Sequence, residues 1–142
     1  MKYLLSVLAL VFSSSMVLAG LVQPAPVMIE FQADGSGIAS GDMTTVRFSE
    51  NDIDVMGCGI RTIDIGGGGI YEFGFCQATM DDGSAEGLGA FCSTENSDLL
   101  DTMKASNYNS FVTFSWNKDE ECTRIGYSTQ SFYITKGKDK DR

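Results

Sequence analysis

The stretch CGIRTIDIGGGGIYEFGFC, residues 58–76, decides the fold. Two β-rich runs, Ile53 to Ile65 and Ile70 to Ala78, flank the glycines Gly66–Gly67–Gly68–Gly69. Glycine reaches positive φ without a Cβ penalty, so the run reads as the turn of a β-hairpin. A three-residue turn over 66–68 sets one register. Cys58 then faces Cys76, Gly59 faces Phe75 and Ile60 faces Gly74. Each large side chain meets a glycine, and the two cysteines meet each other. The register predicts a cross-strand Cys58–Cys76 disulfide, although four cysteines allow three pairings on sequence alone.

The same cysteines take their meaning from the start of the chain. Met1–Lys2–Tyr3 is a short basic segment, Leu4 to Phe12 is apolar, and Ser13 to Ala19 ends in small residues. Residues 1–19 read as a secretory signal peptide. The apolar run is too short for a confident membrane span. The expectation is an exported protein, periplasmic or extracellular, with no membrane association once the signal is removed. In that compartment Cys58, Cys76, Cys92 and Cys122 read as two disulfides rather than as catalytic thiols or a metal site. They lack a C-x-x-C spacing, which weighs further against redox catalysis and tetrahedral zinc.

Charge and composition narrow the chemistry. The chain has no histidine, which removes Ser–His–Asp and Cys–His catalysis and imidazole metal sites. It carries 10 Lys/Arg against 19 Asp/Glu. Four of the basic residues, Lys136, Lys138, Lys140 and Arg142, crowd into the last seven positions with Asp139 and Asp141. Residues 136–142 read as a charged, disordered tail. The body is left strongly acidic, which disfavours nucleic acid and suits basic partners.

Outward from the hairpin, residues 20–42 read as an N-terminal strand and a flexible loop. Val27, Ile29 and Phe31 alternate with Met28, Glu30 and Gln32, a strand signature. Ala33 to Asp42, rich in glycine and serine, is the loop. Thr44 to Phe48 is a second strand candidate. Beyond the hairpin, Asp81 to Gly89 is a polar loop and Leu88 to Cys92 a short strand. A helix is expected over Ser97 to Ala105, capped by Asn96 or Ser97, with Leu99, Leu100 and Met103 on one face. Phe111 to Trp116 is a strand with Val112, Phe114 and Trp116 inward. Cys122 to Ile134 is a long last strand with a bulge at Gly126.

Strands, one helix, then two strands is an order that resembles the OB fold, a five-stranded barrel with its helix between the third and fourth strands. The chain is similar to small exported OB-like proteins in which a cysteine before the helix pairs with one that starts the last strand. That resemblance implies a Cys92–Cys122 disulfide and a barrel domain over residues 43–135. A β-sandwich with one helix is the alternative.

Tyr71, Phe73, Phe75 and Arg61 are the candidate ligand-binding residues. The three rings alternate on one hairpin face, with Arg61 on that face opposite Phe73. Aromatic rows stack bases or sugar rings, and the acidity of the body favours the sugar. The competing reading buries the rings in the core. Asp81–Asp82–Gly83–Ser84 with Glu86 resembles a calcium loop but lacks its alternation and closing Glu, so no metal or other cofactor is assigned. No pair of carboxylates stands out as a catalytic couple. The sequence therefore points to a non-catalytic exported binding domain. The partner is a carbohydrate or a protein, either a second copy or a basic partner. A structural subunit that donates residues 26–32 as a strand, or an acidic inhibitor of a basic extracellular enzyme, are the other readings.

Overall fold

In a computed structural model that describes residues 20–107 and 109–133, the glycine run turns the chain back on itself. Gly66, Gly67 and Gly68 take φ of 81°, 64° and 82°. The strands on either side are β3 (Val55–Gly66) and β4 (Gly69–Met80), and Cys58 pairs with Cys76, Gly59 with Phe75 and Ile60 with Gly74. The register shifts between Asp64 and Gly66, so the turn closes with Gly66 opposite Gly69. Residues 1–19, read from the sequence as a signal peptide, and residues 136–142, read as a charged tail, lie outside the described residues.

Five more strands complete two antiparallel sheets. β5 (Leu88–Thr94) joins the hairpin in the order β3-β4-β5. β1 (Met28–Phe31), β2 (Gly37–Asp42), β6 (Phe111–Trp116) and β7 (Cys122–Ser128) form the second sheet in the order β1-β2-β6-β7. Helix α1 (Met43–Arg47) follows β2, and α2 (Ser97–Lys104) connects the sheets.

The core lies where both sheets and α2 meet. β6 alternates as its sequence predicts, burying Val112, Phe114 and Trp116. They join Ile29 and Ala39 from the same sheet, Cys76, Ala78, Ala90 and Cys92 from the other, and Leu100 and Met103 from α2. Burying a Val, Leu or Phe side chain contributes about 1.5–3 kcal/mol. Asn96 caps α2 by accepting from the N–H groups of Asp98 and Leu99 at 3.0 and 3.2 Å. Asp98 in its first turn and Lys104 in its last suit the helix dipole.

Two disulfides form, Cys58–Cys76 within the hairpin and Cys92–Cys122 between the sheets. Each contributes about 3 kcal/mol if it acts by restricting the unfolded chain. At the Cys92–Cys122 corner, Ser93 and Glu121 form a parallel bridge, and the Ser93 N–H donates to the Glu120 carbonyl at 3.0 Å. The two disulfides fit an oxidising compartment such as an exported protein meets. Among the described residues no helix is long and apolar enough to cross a membrane.

The expected mainly β fold with a helix before the last two strands forms, and its two sheets are separate ladders with no closed barrel among the described residues. Three expectations need correction. Only part of 33–42 is a loop, since Gly37–Asp42 is β2, paired on both edges. Its glycines serve close approach rather than freedom. A Cβ on Gly37 would strike the Trp116 ring, and one on Gly41 would meet the backbone of Pro26 and Val27 at 3.2–3.4 Å. Thr44 to Phe48 is helix through its first four residues, because the Asp42 side chain caps it by accepting from Thr45 N–H at 2.6 Å. That cap outweighs the strand preference of two threonines and a valine. Finally, the last strand ends at Ser128, a helical turn over Ser131–Tyr133 follows, and the register shift lies between Ser115 and Trp116.

Candidate functional site

Parity along β4 places the aromatic row. Gly74, Cys76 and Ala78 are buried against the other sheet and α2. Side chains alternate across a strand, so Tyr71, Phe73 and Phe75 stand on the opposite, outer face. The competing core assignment fails because the cysteines bind the even-numbered face to the interior through Cys122. Apolar alternation alone does not say which face is buried.

The row is continuous. Ring centroids lie 5.6 Å apart for Tyr71 and Phe73 and 6.4 Å apart for Phe73 and Phe75. Phe91 of β5 extends it, with its centroid 6.4 Å from that of Phe75. Tyr71 is 39% and Phe91 44% exposed, whereas Phe73 and Phe75 are half-buried by their neighbours. Phe91 was missed as a site residue. The signal was present, since inward Leu88, Ala90 and Cys92 force Phe91 outward.

Glycine shapes the surface beside the row. A Cβ on Gly59 would lie 3.0 Å from Phe75 Cζ, so the Phe75 ring lies over that backbone. Arg61 pairs with Phe73 across the hairpin, as expected, and sets its guanidinium carbon 4.9 Å from the Phe75 centroid. That is cation–π distance, and the exposed group also donates to the Ile60 carbonyl at 3.1 Å. All four candidate residues thus share one face.

At the Tyr71 end the row borders a groove of about 530 Å3, lined by Tyr71, Phe73, Ser93, Glu95, Glu121 and Cys122. The Tyr71 hydroxyl donates to Glu95 Oε1 at 2.7 Å, and this bond holds the phenol above its usual pKa. Glu121 Oε2 accepts from Asn117 Nδ2 at 2.7 Å. The groove carries rings on one side and carboxylates on the other, and among the described residues no Lys or Arg lines it. This chemistry repels anions and accepts hydroxyl or cationic donors.

Other candidates are occupied. Asp81 and Asp82 turn their carboxylates onto their own loop, accepting from Gly83 N–H at 2.9 Å and Ser84 N–H at 3.0 Å. The Ser84 bonds hold Asp82 below its ordinary pKa. Asp119 pairs with Lys118. The one close group of metal-ligand residue types among the described residues is Cys76, Cys92 and Cys122, all three in disulfides. A larger hollow of about 780 Å3 lies between α1 and the start of β3, lined by Val46, Phe48, Asp54 and Val55. Asp54 is committed there to Asn51 Nδ2 and Asp81 N–H.

Comparison with protein-family models, with curated proteins and with solved structures finds no match to this chain.

Proposed function

We propose that this chain is an exported, non-catalytic binding domain, periplasmic or extracellular, whose ligand lies along the outer face of the three-stranded sheet. The observation that carries this reading is the continuous aromatic row Tyr71–Phe73–Phe75–Phe91 outside the core. Soluble proteins seldom leave a contiguous apolar patch exposed without a use for it. The ligand class is a neutral carbohydrate. Rings stack on its apolar faces, while Glu95, Ser93 and Arg61 offer hydrogen-bond partners at the margins. An acidic body with two carboxylates at the groove disfavours phosphates and other anions.

The OB-like reading belongs with this proposal. The meander β3-β4-β5, then α2, then β6 and β7, with a parallel bridge from Ser93 of β5 to Glu121 just ahead of β7, supports the OB order. The hairpin of β1 and β2 occupies the place where such a barrel would close.

Glu95 and Glu121 support a second reading, a basic protein whose Lys or Arg enters the groove between carboxylate and ring. Titration calorimetry with neutral oligosaccharides and with basic peptides, each at low and high salt, separates the two. Sugar binding persists in salt, and capture of a basic partner weakens as salt screens it. Phe73→Ala is expected to weaken sugar binding about tenfold, the scale of one aromatic stacking contact. Unchanged affinity in that variant would sink the proposal.

A further inference from the structure

The two disulfides are neighbours as well as staples. The Sγ atoms of Cys76, Cys92 and Cys122 all lie within 4.8 Å of one another. Cys76 belongs to one disulfide, Cys92 and Cys122 to the other. Cys76 is also the register partner of both Cys58 on β3 and Cys92 on β5. Cys58 and Cys76 lie 4.0 Å apart at Cα, and register partners on antiparallel strands generally sit about 4.5–5.5 Å apart, within the span a disulfide bridges. The central strand therefore presents its cysteine to a register partner on either side. Burial is graded across the group: Cys76 and Cys92 are fully buried, Cys122 nearly so, and Cys58 is half-buried.

We infer that Cys58 is a thiol-exchange site, through which an external thiol moves the disulfide of Cys76 from Cys58 to Cys92. The external thiolate attacks Cys58 Sγ and forms a mixed disulfide there. The electron pair of the broken bond leaves on Cys76. The Cys76 thiolate then attacks Cys92 Sγ, the Cys76–Cys92 bond forms, and Cys122 departs as a thiolate and takes a proton from water. A second external thiol resolves the mixed disulfide, leaving Cys58 as a thiol and the two external thiols joined as a disulfide. The co-reactant is a small thiol or a dithiol oxidoreductase. The protein gives up one of its two disulfides, and the survivor changes position.

Proximity makes the internal step fast relative to a second external attack, because Cys92 is held beside the new thiolate. The consequence is structural. Cys92–Cys122 is the covalent link between the two sheets, whereas Cys76–Cys92 lies within one sheet. Exchange leaves the β5–β7 corner held by the Ser93–Glu121 bridge, beside the groove that Cys122 lines.

Graded dithiothreitol on the native protein, followed by acid quench, alkylation and non-reducing peptide mapping, tests the path. The expected species carries Cys76–Cys92 with Cys58 and Cys122 alkylated, and it dominates the protein that has lost one disulfide. Alkylation of Cys58 and Cys76 with Cys92–Cys122 intact overturns the inference. So does simultaneous alkylation of all four with no one-disulfide species. Cys58→Ser gives a second readout without reductant: Cys122 is expected to be alkylated in a measurable share of molecules. Alkylation of Cys76 alone in that variant overturns it equally.

Discussion

Gly74 lies directly beneath the thioether of Met103. A Cβ on Gly74 would overlap Met103 Sδ and approach Met103 Cε to 2.8 Å and Leu100 Cδ2 to 2.9 Å. The hairpin glycine is thus the seat of α2 as well as the partner of Ile60. Gly74→Ala is expected to destabilise the protein by about 1–3 kcal/mol, the usual cost of overpacking a filled core. Urea unfolding reads this as a lower midpoint at an unchanged slope. Adding Met103→Ala makes room for the new methyl group, so the double variant loses less than the sum of the two singles. Strict additivity would place the strain elsewhere.

Asp42 ties the N-terminal segment to the first helix. Its carboxylate is fully buried and accepts from Thr45 N–H and from Ala25 N–H, both at 2.6 Å. Its own N–H donates to the Ala25 carbonyl at 2.8 Å. Asp42→Ala removes a helix cap and strands a second donor, a combined cost of about 2–4 kcal/mol. Asp42→Asn keeps one acceptor oxygen and loses less. Amide hydrogen exchange should quicken at Ala25 and Thr45 in the alanine variant, and unchanged protection there would refute the assignment.

How far this arrangement was legible depended on how local its cause was. The hairpin register, its disulfide and the helix at Ser97–Lys104 follow from signals within about twenty residues, where turn glycines, paired cysteines and a cap agree. β2 was missed because Gly37 and Gly41 read as flexibility, and the contacts that require them, Trp116 and the Pro26–Val27 backbone, are remote in sequence or across a turn. α1 is hidden in the sequence because Thr44, Thr45 and Val46 favour strands, while Asp42, whose side chain caps the helix, ends a run that reads as a loop. The candidate site was half legible. The row Tyr71–Phe73–Phe75 with Arg61 was visible as one face, but its outward direction depends on which face Cys76 and Cys92 occupy. Phe91 and Glu95 join it only through the pairing of β4 with β5 and the turn into α2.

The Tyr71–Glu95 hydrogen bond has a pH signature. The carboxylate favours the protonated phenol, so the folded pKa lies above the unfolded one. Its contribution to stability is complete below the ordinary tyrosine pKa and is lost as pH rises through the higher folded value. Tyrosinate absorbance of the wild type minus that of Tyr71→Phe isolates this group from Tyr127, whose phenol burial also pushes up. The difference curve is expected to have its midpoint above that of free tyrosine. In a Glu95→Gln background the midpoint should fall, and an unmoved midpoint would remove Glu95 as the cause.

Gly57 and Gly89 offer the cleanest separation of binding from stability. Both lie on the outer face, flanking Gln77 and Thr79 in register, and a Cβ on either would meet nothing within 4 Å. A larger side chain there displaces no protein atom but stands where a ligand on the aromatic row would lie. Glycine inside a strand costs about 0.5–1 kcal/mol relative to alanine, so Gly57→Leu should leave the thermal midpoint unchanged or raise it. Affinity for the oligosaccharide found by calorimetry should fall at least about tenfold, the equivalent of ~1.4 kcal/mol. A Gly57→Leu protein that is stable and binds as well as the wild type would show that the ligand does not use this face, while one that is stable and silent would locate binding beside Phe75 without disturbing the core.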